Sequence, residues 1–103
     1  MSLDASDFAR KVDEEARLIV LRALAVMPSG ILTDNVINDE LERFGHRRSR
    51  DWLHTQIDKL ADIGAVEVRQ EGSVRVVAIL AAGLDHVDRR AFLTGVRRPS
   101  IGR

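Results

Sequence analysis

A chain of 103 residues, 45% apolar and 31% charged, has the size of one domain with one modest core, which excludes a large enzyme cleft. It contains no cysteine, so disulfides, thiolate metal sites and thiol catalysis are all ruled out, and a reducing cytoplasm is the expected compartment. Net charge is zero, which by itself argues against a polyanionic partner, but the charge is unevenly spread: residues 1–45 carry five basic and nine acidic side chains, and residues 46–103 carry eleven and seven.

Met1-Ser2-Leu3 reads as a cloning remnant. From Asp4 to Met27 the pattern is helical, with Phe8, Val12, Ala16, Ile19, Ala23 and Val26 at steps of three and four forming one stripe. Beyond Leu18 this helix is apolar nearly all round, broken only by Arg22, so it needs cover on every face. Either a second copy of the chain supplies that cover, over Leu18, Leu21, Ala25 and the C-terminal helix, or the chain's own C-terminal helix does. The longest unbroken apolar run, Leu18 to Leu21, is far too short to span a bilayer, so no membrane partner is expected.

Pro28-Ser29-Gly30 ends the first helix, and Ile31-Leu32 is a short extended piece. Thr33, Asp34 or Asn35 can cap a second helix that runs to about Phe44, with Val36, Ile37, Leu41 and Phe44 as its buried face. Gly45 ends it. A basic run, His46-Arg47-Arg48, then leads to Ser49, an N-cap candidate, and Asp51 follows in the first turn, where the helix dipole favours an anion. Leu53, Ile57, Leu60 and Ala61 build the packed stripe of this third helix, while Gly64 stops it. Its short connection to the second helix makes the pair a helix-turn-helix.

Two extended segments follow, Val66 to Glu71 and Val74 to Ile79, joined at Gly72-Ser73. That turn pairs Val68 with Val77 and Val66 with Ile79 and puts all four on one face, whereas a turn at Glu71-Gly72 would set Val68 opposite Arg75. Leu80 to about Arg90 is expected as a fourth helix, weakened by Gly83. The tail, about residues 94–103, carries Arg97, Arg98 and Arg103 and either docks or stays loose.

The chemistry legible in this order is nucleic-acid binding. All but two of the sixteen basic residues, Lys11 and Lys59, are arginine, whose planar fork suits phosphate or guanine. With the third helix in a major groove, Arg47, Arg48 and Arg50 would meet phosphates or guanine, Ser49 would donate to phosphate, and His54 and Thr55 would face the groove floor. Arg69 and Arg75 are set back from the Gln70-Glu71-Gly72-Ser73 hairpin tip and suit flanking phosphates, unless Arg75 neutralises Glu67 or Glu71. Asp51 and Asp58 share the exposed surface of the third helix and oppose such contacts. Trp52 is expected half-buried, at the core edge or in a partner interface, rather than stacked on a base.

Other chemistries find little. His46, His54 and His86 have no short spacing that brings two imidazoles together, and Asp85, His86 and Asp88 read as a solvated helix start rather than a metal site. No phosphate-cradling glycine loop, nucleophile elbow or triad spacing is present. Neither an enzyme nor a cofactor is expected.

Helix, short strand, helix, helix, two-stranded wing and C-terminal helix together make a mainly α, winged helix-turn-helix domain over residues 1–103. Ser49-Arg50-Asp51, Leu53, Leu60, Ile63-Gly64-Ala65-Val66, the hairpin, Gly83 and the ending Gly95-Val96-Arg97-Arg98-Pro99 resemble the small ArsR-like winged-helix proteins of Mu-like phages and prophages. The resemblance covers nearly the whole chain and implies that fold and a phage or prophage origin. By analogy it implies double-stranded DNA as partner and transcription regulation as role; the apolar first helix, for its part, points to a homodimer through the first and last helices. The alternative is the same fold used as a protein-interaction module without DNA contact.

Overall fold

The structure, a computed structural model, describes residues 4–101; the suggested remnant at residues 1–3 and Arg103 lie outside the described residues. The chain opens with the long helix α1, Ala5–Val26. Asp4 caps it, its Oδ1 accepting from the Asp7 amide at 2.8 Å. A three-residue strand β1, Ile31–Thr33, leads into α2, Asp34–Arg43, and then α3, Arg50–Asp62. The hairpin β2, Val66–Glu71, and β3, Val74–Ile79, precedes α4, Ala81–Val87. The three strands form one antiparallel sheet in the order β1-β3-β2.

Local chemistry explains most boundaries. The Thr33 hydroxyl accepts from the Val36 amide and the Ser49 hydroxyl from the Trp52 amide, so each helix of the central pair is capped by its preceding hydroxyl. Gly64 follows α3 with a φ of +78°, a conformation that costs glycine little and turns the chain into β2. The hairpin takes the register with Val66 opposite Ile79 and Val68 opposite Val77, closed by Gly72-Ser73. That choice follows from the alternation: any slip by one residue would turn Val77, which is fully buried, toward water.

The core lies between the second half of α1 and the inner faces of α2, α3 and the sheet, with Leu21, Leu24, Ile37, Leu41, Leu53, Ile57 and Leu60 essentially sealed from solvent. Each such side chain contributes about 1.5–3 kcal/mol by leaving water. The outer cover of α1 comes from the chain itself. Val96 joins the core cluster, Leu93 packs against it, and the Arg97 amide donates to the Glu14 carbonyl at 3.2 Å. Leu18 and Leu21, expected as a face for a second copy, are therefore 4% and 0% exposed inside one chain, and only Ala25 of that set remains half-exposed.

Several expected packing positions turn out to be wet. Phe8 and Val26 of the α1 stripe are 63% and 77% exposed. A 22-residue helix is about 33 Å long and outreaches partners of seven to thirteen residues, so its ends project past the body. Val36 of α2 and Phe44, the residue just after it, also stay outside, because a ten-residue helix turns only a narrow apolar strip, Ile37 and Leu41, inward. The fourth helix is shorter than the Leu80-to-Arg90 expectation. Its Gly83 is there for contact: a Cβ at that position would stand 2.5 Å from the Ala65 carbonyl oxygen and 2.9 Å from Ile79.

Candidate functional site

The region around the start of α3 is held in place from two directions. His46 is 8% exposed, its ring stacked on Trp52 with centroids 6.1 Å apart and its Nε2 3.0 Å from Glu15 Oε1. The half-buried Trp52 donates through Nε1 to Asp13 at 3.0 Å. Both ties run back to α1, so the loop between α2 and α3 has little freedom, and the intervening Arg47 and Arg48 are left outside. Arg47 is exposed and forms no ion pair among the described residues. The Arg48 guanidinium lies 4.7 Å from the centre of the Trp52 ring, a cation–π contact that carries no neutralising carboxylate. Ser49 is occupied as the cap of α3.

Asp34 is the residue that sequence reasoning missed. It was legible only as one of three possible caps for α2, yet it is fully buried and its Oδ2 accepts from Arg50 at 2.8 Å and lies 2.9 Å from His54 Nε2. Arg50 donates also to Asn35 Oδ1 at 3.1 Å and to the Ser73 carbonyl at 3.3 Å, so one guanidinium joins the start of α2, the start of α3 and the hairpin turn. Burial pushes the Asp34 carboxyl up. The His54 hydrogen bond, the Arg50 charge, the neighbouring Arg75 amide and the His54 charge outweigh that and hold it below the usual carboxylate range. Its Oδ1 has no well-formed hydrogen bond among the described residues, so the site is stabilised mainly through one oxygen. The available signal was that Arg50 and His54, four apart on α3, share one face and need a common anion.

The geometry therefore revises the expected contact set. Arg50, still half-exposed, and His54 are both tied to Asp34 as parts of this lock. Thr55 is exposed, but its hydroxyl donates to the Asp51 carbonyl at 3.0 Å within its own helix. Arg69 pairs with Glu71 at 2.6 Å, and Arg75 pairs with Asp58 of α3 at 2.8 Å rather than with Glu67 or Glu71. The reason is register: Arg75 follows the inward-facing parity of Val77 and so points back toward α3. Of the arginines expected at the interface, Arg47 and Arg48 keep an exposed charge with no carboxylate partner among the described residues.

The histidines are in three separate places, and no group of three metal-binding side chains comes together among the described residues. His86, expected on a solvated helix start, is fully buried. The Leu93 amide donates to its Nδ1 at 2.9 Å, which sets the tautomer, and its Nε2 donates to the Arg97 carbonyl at 2.8 Å. The imidazole thus fastens the tail that covers α1. Asp85 and Asp88, the acids beside it, both pair with Arg90. No helix among the described residues is long and apolar enough to cross a membrane.

The protein is thus a small domain of four helices and a three-stranded antiparallel sheet, with an exposed arginine pair leading into α3. No family model matches the chain. Over 86 residues, 84% of its length, it is 35% identical to the uncharacterized protein gp26 of Escherichia phage Mu, and the match covers 88% of that protein. The chain belongs to the family of this phage protein.

Proposed function

We propose that the chain is a winged helix-turn-helix protein of the ArsR-like kind, a phage or prophage regulator that binds double-stranded DNA in the host cytoplasm and performs no catalysis. Its element order, with β1 joining the hairpin as a third strand, is the order such a domain requires. The observation that carries the reading is the placement of Arg47 and Arg48: exposed, without carboxylate partners among the described residues, on a loop anchored by His46 and Trp52 just ahead of α3. Anchoring fixes where the charges stand, so phosphates would be met without ordering a loose segment. Since Arg50, Arg69 and Arg75 are already paired, the contact is small. About two to four phosphates would be neutralised, giving a slope of log K against log salt of about −2 to −4.

Replacing Arg47 and Arg48 by alanine should flatten that slope by about two units in fluorescence anisotropy with a random duplex, since each released phosphate contributes about 0.9. The melting temperature should fall by no more than a few degrees, because Arg47 packs nowhere in the core and Arg48 loses only its contact with the Trp52 ring. An absence of salt-dependent binding by the wild type rules the regulator out. One set of observations then favours the second reading, a protein-docking module: three of the five expected cations are spent on Asp34, Glu71 and Asp58, and the hairpin tip carries no unpaired cation.

A further inference from the structure

A groove of about 460 Å³ lies on the outside of α1, between the end of α2 and the tail. Leu18, Ile19 and Ala23 form its floor, and all three are at most 9% exposed, so the floor is already packed from below. The side toward α2 is apolar, with Phe44 and, at the mouth, Val26 both exposed. The side toward the tail carries Arg98 and Ser100, and Arg22 follows Leu18 by one turn on the helix itself.

Three arginines and two glutamates line this groove, and the glutamates are already engaged. Glu15 accepts from Arg97 at 2.9 Å and lies 3.0 Å from His46 Nε2, while Glu40 pairs at 3.3 Å with Arg43, outside the groove. Arg22 and Arg98 pair with no carboxylate among the described residues. The Arg98 guanidinium sits 4.3 Å from the centre of the Phe92 ring, a contact that steadies the cation without neutralising it. An occupant therefore meets hydrocarbon on one side and two uncompensated guanidiniums on the other.

We infer that the groove binds a small lipophilic anion, a compound with an aliphatic or aromatic body and one carboxylate, its body against Phe44 and Val26 and its carboxylate on Arg22 and Arg98. The charge selects the head group: a guanidinium donates two parallel hydrogen bonds that a carboxylate accepts together, which an alcohol matches poorly and an amine opposes. The size selects a small molecule over a partner helix. The volume falls within the roughly 300–1,000 Å³ typical of small-molecule sites. The lining from Leu18 to Val26 runs only about 12 Å before α1 ends, little more than two helical turns. This site is independent of the DNA reading.

Octanoate titrated into the full chain tests it, with octanol and octylamine as neutral and cationic counterparts of the same length. The methyl signals of Ala23 and Val26 should shift in NMR spectra and saturate, with a Kd on the order of 1 mM or tighter. Octylamine should leave those signals in place, and octanol should bind about tenfold more weakly. Arg22→Ala and, separately, Arg98→Ala should each weaken octanoate about tenfold and leave octanol unchanged. Val26→Asp, which sets a carboxylate at the exposed mouth, should abolish octanoate binding. All three positions are at least partly exposed, so methyl signals away from the groove should keep their places in each variant. An equal response to octanoate and octylamine, shifts that map elsewhere, or no saturable binding by about 10 mM overturns the proposal. So does self-association or a partner segment that covers Ala23 and Val26 and excludes octanoate.

Discussion

The side chain with the largest consequence for this structure is Asp34. Its carboxylate is sealed from solvent and balanced by a half-exposed Arg50 and by His54, so its removal leaves two donors with no acceptor. Asp34→Asn should cost about 1–3 kcal/mol in urea unfolding, toward the lower end because Arg50 keeps access to water and the unsatisfied Oδ1 is already a burden. Its carboxyl is held below the ordinary value of 3.8 by the folded surroundings. The stabilisation is therefore complete above that value and is lost as pH falls through the folded one, with protons binding the unfolded chain first. An acid titration of stability should show a steeper loss below about pH 4 in the wild type than in Asp34→Asn. Equal acid limbs would mean that the Arg50 and His54 contacts do not persist in solution.

At the scale of elements, what matters is how short pieces are fastened to α1. Gly83 lets α4 sit directly on the Ala65 carbonyl, and an added methyl would be forced against backbone, which cannot swing aside. Gly83→Ala should therefore destabilise by about 1–3 kcal/mol despite the helix-propensity gain of about 1 kcal/mol, because overpacking outweighs it. A thermal melt decides the sign. The tail after α4 hangs on His86. His86→Ala should speed hydrogen exchange at the Leu93 and Arg97 amides by about tenfold or more, beyond any change in α3, since those two donors lose their fixed surroundings. Exchange that rises equally throughout would assign His86 to the general core instead.

For the whole molecule, folding consumes much of the charge asymmetry between the two halves of the chain. Glu15 meets Arg97 and His46, and Asp34 meets Arg50, each a pairing of the acidic first half with the basic second. What remains for a polyanion beside the start of α3 is a small patch at Arg47 and Arg48, so a single copy should hold DNA weakly.

Whatever depends on neighbours in the chain was decided by the amino-acid order alone. Ser49 and the glycine after α3 act through one turn of backbone, and the valine alternation of the hairpin admits one register, so the cap of α3, the element order and the hairpin register could be read without coordinates, while the choice of Thr33 as cap and the pairing of β1 with β3 could not. Which element covers which face was not legible there. Periodicity ranks positions on a helix as packed or wet only relative to an unseen neighbour, so Leu18 and Phe8 exchanged their expected roles once the tail closed over one and the body ended short of the other. The arginines show the same limit more sharply. A guanidinium on a long side chain can be met by any carboxylate the fold brings near, and only the tertiary structure determined that Arg50 and Arg75 would find Asp34 and Asp58 while Arg47 and Arg48 would find none.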